Sequence, residues 1–211
     1  MNESETTRED ADYLHRWRRR CEAIHRVQLS TLYHHKRERF FDSLDRIATA
    51  TTLVTATAAA AAILKASSTS GGGQIELFFS FLAALAATLQ VAFTPGAKAA
   101  MHGRLAGEMR RLWARFEQAG EEWTHQQCDT FTAAILELEA GESAQLGALV
   151  AQCENEIALA TGRFKDIREL GFKRSLLKHW WNFDVTAIPL IKRQKVEAMR
   201  THIDSQNPPP N

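Results

Sequence analysis

Charge is missing from two long stretches of this chain, and that absence constrains its fold more than any other feature. Ile47–Leu64 runs for 18 residues between Arg46 and Lys65 without a charge, and Leu77–Ala97 runs for 21 between Glu76 and Lys98. At about 1.5 Å per helical residue these stretches span roughly 27 and 32 Å, close to the ~30 Å hydrocarbon thickness of a bilayer. The second, LFFSFLAALAATLQVAF, is strongly apolar, whereas the first, IATATTLVTATAAAAAIL, is rich in Ala and Thr. The competing reading is a buried helical hairpin of a soluble protein. That hairpin needs apolar chain to cover it, and the remaining segments are mostly charged.

Between the two stretches lies ASSTSGGGQI, a polar Gly/Ser segment suited to closing a helical hairpin, so residues 47–97 read as spans 47–64 and 77–97 joined by an external loop, 65–76. Lys and Arg number 10 in residues 1–46, one in the loop and 15 from Lys98 onward, which predicts a multi-pass protein with both ends cytoplasmic. Some 46 mostly polar residues precede the first apolar run, which does not read as a secretory signal. Overall, 26 basic residues face 25 acidic ones, leaving no global field for a polyanion, so nucleic acid is not an expected partner. The basic residues of Tyr13–Arg46 outnumber the acidic by about five, enough for attraction to anionic headgroups as well as for topology.

The flanking regions are helical by pattern, and the fold class expected is all-α: a two-span hairpin whose long cytoplasmic helices form a bundle. No Gly or Pro occurs before Gly71, which permits one near-continuous helix from about Asp10 through the first span. Its apolar stripes read Leu14, Trp17, Cys21, Ile24 and then Leu29, Leu32, Phe40, Leu44, Ile47, with a shift near Ser30. Pro95-Gly96 marks a kink. Residues 98–203 continue through Met101, Leu105, Met109, Leu112, Phe116 and then Phe131, Ile135, Leu138, Leu146, Leu149, Cys153, Ile157, Phe164, Ile167, with breaks at Gly141 and Gly162. The Pro/Asn-rich tail, 204–211, reads as disordered. Cys21, Cys128 and Cys153 are odd in number and far apart, so they read as reduced fillers.

Nothing in the chain forms a catalytic, cofactor-binding or metal-binding motif, and an enzyme is not expected. His34 and His35 are neighbours on a helix, point about 100° apart and cannot chelate one ion together. The informative residues lie in the spans. A helical wheel gathers Ser80, Ala83, Ala84, Ala87, Val91 and Thr94 opposite a bulky face of Phe78, Phe81, Leu82, Leu85, Leu89 and Phe93. Ala48, Thr51, Thr52, Thr55, Ala59 and Ala62 share a face of the first span. The candidate seam is therefore Thr51, Thr52, Thr55, Ser80, Ala84 and Ala87, with Gln90 on its shoulder. It reads either as close helix packing, with hydroxyls bonded to i−4 carbonyls, or as the wetted wall of a pore built from several copies. Near the C-terminus, Lys173, Arg174 and Lys178 accompany Trp180 and Trp181. This stretch reads either as a membrane-interface patch or as a tryptophan pair packed on the bundle.

A basic amphipathic helix, a short-looped two-span segment and then AKAAMHGRLAGEMRRLWARFE (Ala97–Glu117), with Lys98, His102, Ala106 and Leu112, together resemble the SLATT family. These are bacterial two-transmembrane domains named for their association with SMODS and SLOG proteins. The resemblance covers roughly Tyr13–Ala119. It implies an inner-membrane effector of an anti-phage or other conflict system that oligomerises to form a pore or perturb the membrane. The trigger it implies is a separate sensor or a nucleotide-second-messenger synthase. The chain departs from the pattern in its Ala/Thr-rich first span and in having no fused sensor. A non-conducting anchor or scaffold for a cytoplasmic partner is the alternative function, with a holin-like protein behind it.

Overall fold

The computed structural model describes residues 3–66, 73–142, 144–191 and 197, with the side chains of 3–8, 58–66, 73–77, 79, 89 and 90 outside that description. The described residues are mostly helical, with one isolated bridge between Arg168 and Leu190. The all-α expectation holds. Among the described residues six helices occur in order: α1 (Glu3–Ala66), α2 (Gly73–Phe93), α3 (Pro95–Ala119), α4 (His125–Ala140), α5 (Gly147–Ala160) and the short α6 (Phe172–Leu177), with a 3-10 turn at Phe164–Asp166. The expected loop 65–76 lies partly, and the tail 204–211 wholly, outside the described residues.

The chain divides into two compact units, Met1–His34 with Leu105–Asn211, and His35–Arg104. These boundaries differ from the 46/47 and 97/98 limits drawn from charge alone.

In the first unit, α1 and α4 lie side by side and parallel, joined by a repeating ladder whose last rung falls at the start of α5. Asp12 meets His125 (2.6 Å), Arg19 meets Thr132 (3.3 Å), Arg26 meets Glu139 (3.2 Å) and the Tyr33 hydroxyl accepts from the Leu146 amide (3.2 Å). Each pair is 113 residues apart, and each rung follows the last by seven residues on both sides. A seven-residue rung is the period at which two gently wound helices keep the same faces together. Beneath the rungs, Ala23 and Val27 of α1 join Met109, Leu112 and Phe116 of α3, Trp123, and Cys128, Phe131 and Ile135 of α4 in one core. Phe116, Trp123 and Phe131 form an aromatic triangle with centroids 4.6–4.8 Å apart. A capping box starts α4, with the Thr124 hydroxyl on the Gln127 amide and the Gln127 side chain returning to the Thr124 amide, and Gly141 ends it. Both glycine breaks are where the sequence places them, Gly162 at φ 71° after α5.

The α1 stripe holds in part: Ile24, Leu29 and Leu32 pack against the cores, but they do not form the buried line. Leu14 and Trp17 are about half exposed, whereas Ala23, Val27, Ser30 and His34 are buried. The buried line follows 3 and 4 spacing through small and polar residues, because the polar members find a partner in the connection between α4 and α5 and the small ones admit close neighbours.

α5 packs Leu149 and Cys153 against Tyr33, Leu29 and Leu32, and its other side packs Ala148 and Ala151 against Ile188, Leu170 and Phe183. Arg168 fastens the returning strand-like segment, donating to the Val185 (3.2 Å) and Ile188 (3.0 Å) carbonyls while its backbone exchanges hydrogen bonds with the Asn155 side chain.

In the second unit, α1 and α3 run antiparallel: Glu38 lies beside Gly103, Phe41 beside His102 and Lys98, and Asp45 beside Gly96. The break before α3 falls at Thr94, φ 39°, one residue earlier than the expected kink. A residue preceding proline is disfavoured in the right-handed helical region, and proline itself fits the first helical position, so the chain breaks at Thr94 and restarts at Pro95.

Candidate functional site

Among the described residues, one helical segment, Ser80–Ala119, contains a window long and apolar enough to cross a membrane, with mean hydropathy 1.4 and only 6% of that window buried. Ile47–Leu64 lies within the unbroken α1, and its side chains from 58 onward are outside the described residues.

The structure separates the seam residues. Thr55 is 2% exposed, Thr51 and Thr52 are half-buried, and Ser80, Ala84 and Ala87 are exposed in the single chain. On α2 the inward side is Ala86, flanked by half-buried Leu82 and Ala83. That direction lies about 125° around the helix from the centre of the Ser80/Ala84/Ala87 face. Gln90 lies in α2, its side chain outside the described residues. The threonine hydroxyls donate to their own helix, Thr52 to Ala48 O (2.9 Å), Thr55 to Thr51 O (2.7 Å) and Thr88 to Ala84 O (2.7 Å). A hydroxyl satisfied this way needs no water, so a buried Thr55 has the arrangement of a packing residue rather than of a wetted wall.

At the charged end of this unit, His102 is 4% exposed and stacked on Phe41, with centroids 5.7 Å apart and planes 5° from parallel. Arg37 sits 4.5 Å and Lys98 5.6 Å from the same ring, and Lys98 also stands 5.8 Å from Phe93. Cations close to an aromatic ring are held by its quadrupole, which fixes positive charge beside the uncharged segments. Lys98 and His102, singled out by sequence resemblance, thus share one cluster.

The first unit holds a polar site that sequence reasoning missed. His34 Nε2 and Glu142 Oε1 are 2.6 Å apart, with 2% and 5% of their side chains exposed. Ser30 Oγ donates to the same oxygen (3.1 Å), and Gln145 Nε2 to the other (3.1 Å). Burial pushes the Glu142 carboxyl up, but the hydrogen bonds from His34, Gln145 and Ser30 and the attraction of the His34 charge outweigh it, so its pKa lies below the ordinary value. The available signal was the run Ala23, Val27, Ser30, His34 at helical spacing, which placed two polar residues on a core line.

Among the described residues no group of three or more His, Cys, Asp or Glu is placed to hold a metal ion. His34 is buried against Glu142, while His35 is half-buried beside Glu38 (3.2 Å). Cys128 and Cys153 are buried and Cys21 is half-buried, and the three are not joined in a disulfide. Trp180 and Trp181 are 58% and 66% exposed. Ile188 and the partly buried Phe183, rather than the pair, pack against Ala148 and Ala151 of α5. Lys173 is exposed, and Arg174 and Lys178 are half-buried beside the pair. Comparison with protein-family profiles, with characterised proteins and with solved structures returns no match.

Proposed function

We propose that this chain is a bacterial inner-membrane effector: its two uncharged segments cross the bilayer as a hairpin with both ends cytoplasmic, and copies associate through the hairpin to breach or perturb the membrane. The observation that carries the proposal is the bareness of α2. A soluble protein's core helix is mostly covered by its own chain, whereas Phe78, Phe81, Val91 and Phe93 are 51–79% exposed and Leu85 44%. Ile47, Leu53 and Val54 of α1 are likewise 63–67% exposed. Apolar surface on this scale calls for lipid or for further copies of the chain.

Oligomerisation is supported by the exposed Ser80, Ala84 and Ala87. Small residues at this spacing let backbones approach closely, and one chain leaves that face uncovered. Two helices enclose no lumen, so conduction needs several subunits. The resemblance to SLATT domains supplies the setting, an anti-phage or conflict system with a separate sensor or nucleotide-second-messenger synthase as trigger.

Expression in bacterial cells carrying a potential-sensitive dye tests the reading. Wild type is expected to collapse the membrane potential. Ala84→Leu or Ala87→Leu is expected to abolish the collapse by blocking close approach, and Ala92→Leu to preserve it. Stable membrane insertion without any loss of potential under an activating condition would instead establish an anchor or scaffold.

A further inference from the structure

The C-terminal part of the first unit displays apolar surface that the proposed hairpin does not explain. Within 19 residues of chain, Phe172 is 82% exposed, Leu176 65%, Leu177 42%, Trp180 58%, Trp181 66% and Leu190 55%. Phe172, Leu176 and Trp180 follow one another at four-residue steps, and the Trp180 and Trp181 amides donate to Leu177 O (3.0 and 2.9 Å), carrying the turn of α6 onward beneath them. This surface stands on a fixed base. Ile188 is 1% exposed against Ala148 and Ala151, Gly147 N donates to Asn182 Oδ1 (3.2 Å), and Arg168 holds two carbonyls of the segment.

We infer that this patch is a peripheral docking surface for an anionic bilayer, pressing the C-terminal part of the first unit onto the lipid surface. Charge selects the partner. From Phe172 to Phe183 the chain carries Lys173, Arg174 and Lys178 and no acid, in a protein whose total charge is +1. The nearest acid in sequence, Asp184, is engaged by the Thr186 amide (2.9 Å) and hydroxyl (2.8 Å). A second copy placed on the same patch would oppose like charges, which disfavours self-association. Nucleic acid offers nothing to bury Leu176, Leu177 and Leu190, whereas an acyl boundary accepts leucine and phenylalanine, and the headgroup layer accepts tryptophan and the basic side chains. The inference rests on the membrane reading only for bringing the chain to a bilayer, and the experiment scores the two separately.

Full-length protein is reconstituted into phosphatidylcholine vesicles with and without one quarter phosphatidylglycerol, using lipids brominated high on the acyl chain as tryptophan quenchers. None of the five tryptophans lies in residues 47–97, so insertion of the hairpin does not place one in the core. Resistance to alkaline extraction scores the hairpin. The expected result is quenching that is stronger in anionic than in neutral vesicles and falls with salt. Trp180→Phe with Trp181→Phe should remove it, and Trp17→Phe should leave it in place. Each basic residue near an anionic surface contributes roughly fivefold to partitioning, so Lys173→Glu, Arg174→Glu and Lys178→Glu together should weaken docking about a hundredfold or more and reduce quenching to the neutral-vesicle level. Equal quenching in wild type and the double tryptophan variant, in protein that resists alkaline extraction, overturns the inference and leaves the hairpin reading intact. Two other outcomes also overturn it: a disulfide-linked dimer formed through the introduced thiol of Trp181→Cys protein, or RNA binding that depends on Lys173 and Arg174 without lipid quenching.

Discussion

Removing the Glu142 carboxylate should unfasten the corner where α4 gives way to α5. In Glu142→Ala, His34, Ser30 and Gln145 each lose an acceptor, and His34 and Ser30 stay buried, with 2% of the His34 side chain and 3% of Ser30 exposed. A hydrogen bond to a charged group contributes about 1.5–3 kcal/mol, and breaking a buried ion pair from one side costs about 3–5 kcal/mol. Gln145, which is exposed, can turn to water, so the loss falls across these two ranges, about 2–4 kcal/mol. Hydrogen exchange on purified full-length protein reads this locally: amides of Leu149, Val150 and Cys153 should exchange about 30- to 1,000-fold faster than in wild type. The pH dependence has a definite sign. A carboxyl whose folded pKa is lowered stabilises the fold above its unfolded value, about 4.3 for glutamate, and the contribution disappears as pH falls through the folded value. Wild type should therefore lose α5 protection below about pH 4.3 more steeply than Glu142→Gln. Exchange in Glu142→Ala within threefold of wild type would refute the role assigned to this network.

Further outcomes follow from single contacts. Trp123→Ala empties the aromatic triangle at 3% exposure and should cost about 3–5 kcal/mol, seen as a lower unfolding midpoint in denaturant. A double-mutant cycle on Arg26 and Glu139, each about 30% exposed, should return a coupling of only about 0.3–1 kcal/mol, because solvent screens the pair. A Cβ on Gly147 would collide with the Phe183 carbonyl oxygen, so Gly147→Ala should displace the segment over α5 and raise proteolysis after Lys178 by tenfold or more, with the α1–α4 ladder still protected. Cysteine labelling from outside intact cells should reach a probe at Gly72 and miss probes at Ser4 and Ser205, as the 10, 1 and 15 distribution of basic residues requires.

Much of the helical layout was legible because it is written in local chemistry: two glycines end helices where the apolar pattern lapses, and Pro95 restarts one. The stripes of α4 and α5 were legible for the same reason, since Phe131, Ile135, Leu149 and Cys153 are apolar residues doing apolar packing. α1 was legible only in part, because its buried line is composed of Ala, Val, Ser and His, and Glu142, which partners Ser30 and His34, sits 112 and 108 positions away. Hydropathy ranks Leu14 and Trp17 above Ser30 and His34, but burial is decided by which polar groups find partners. The tryptophan pair was left open between two readings, because the sequence does not show that Ile188 and Phe183 fill the place under α5. On α2 the wheel separated small from bulky faces, but the inward direction follows Ala86, between the two.

Assembly of the hairpin is tested most directly by leakage from proteoliposomes made with purified full-length protein at high density, where mass action stands in for the trigger. Ion release that rises more steeply than linearly with protein per vesicle, lost in Ala87→Leu and retained in Ala92→Leu, is the predicted result, accompanied by crosslinked species larger than a dimer. Tight vesicles holding protein that resists alkaline extraction but stays monomeric would contradict the central claim that the hairpin assembles to breach the membrane.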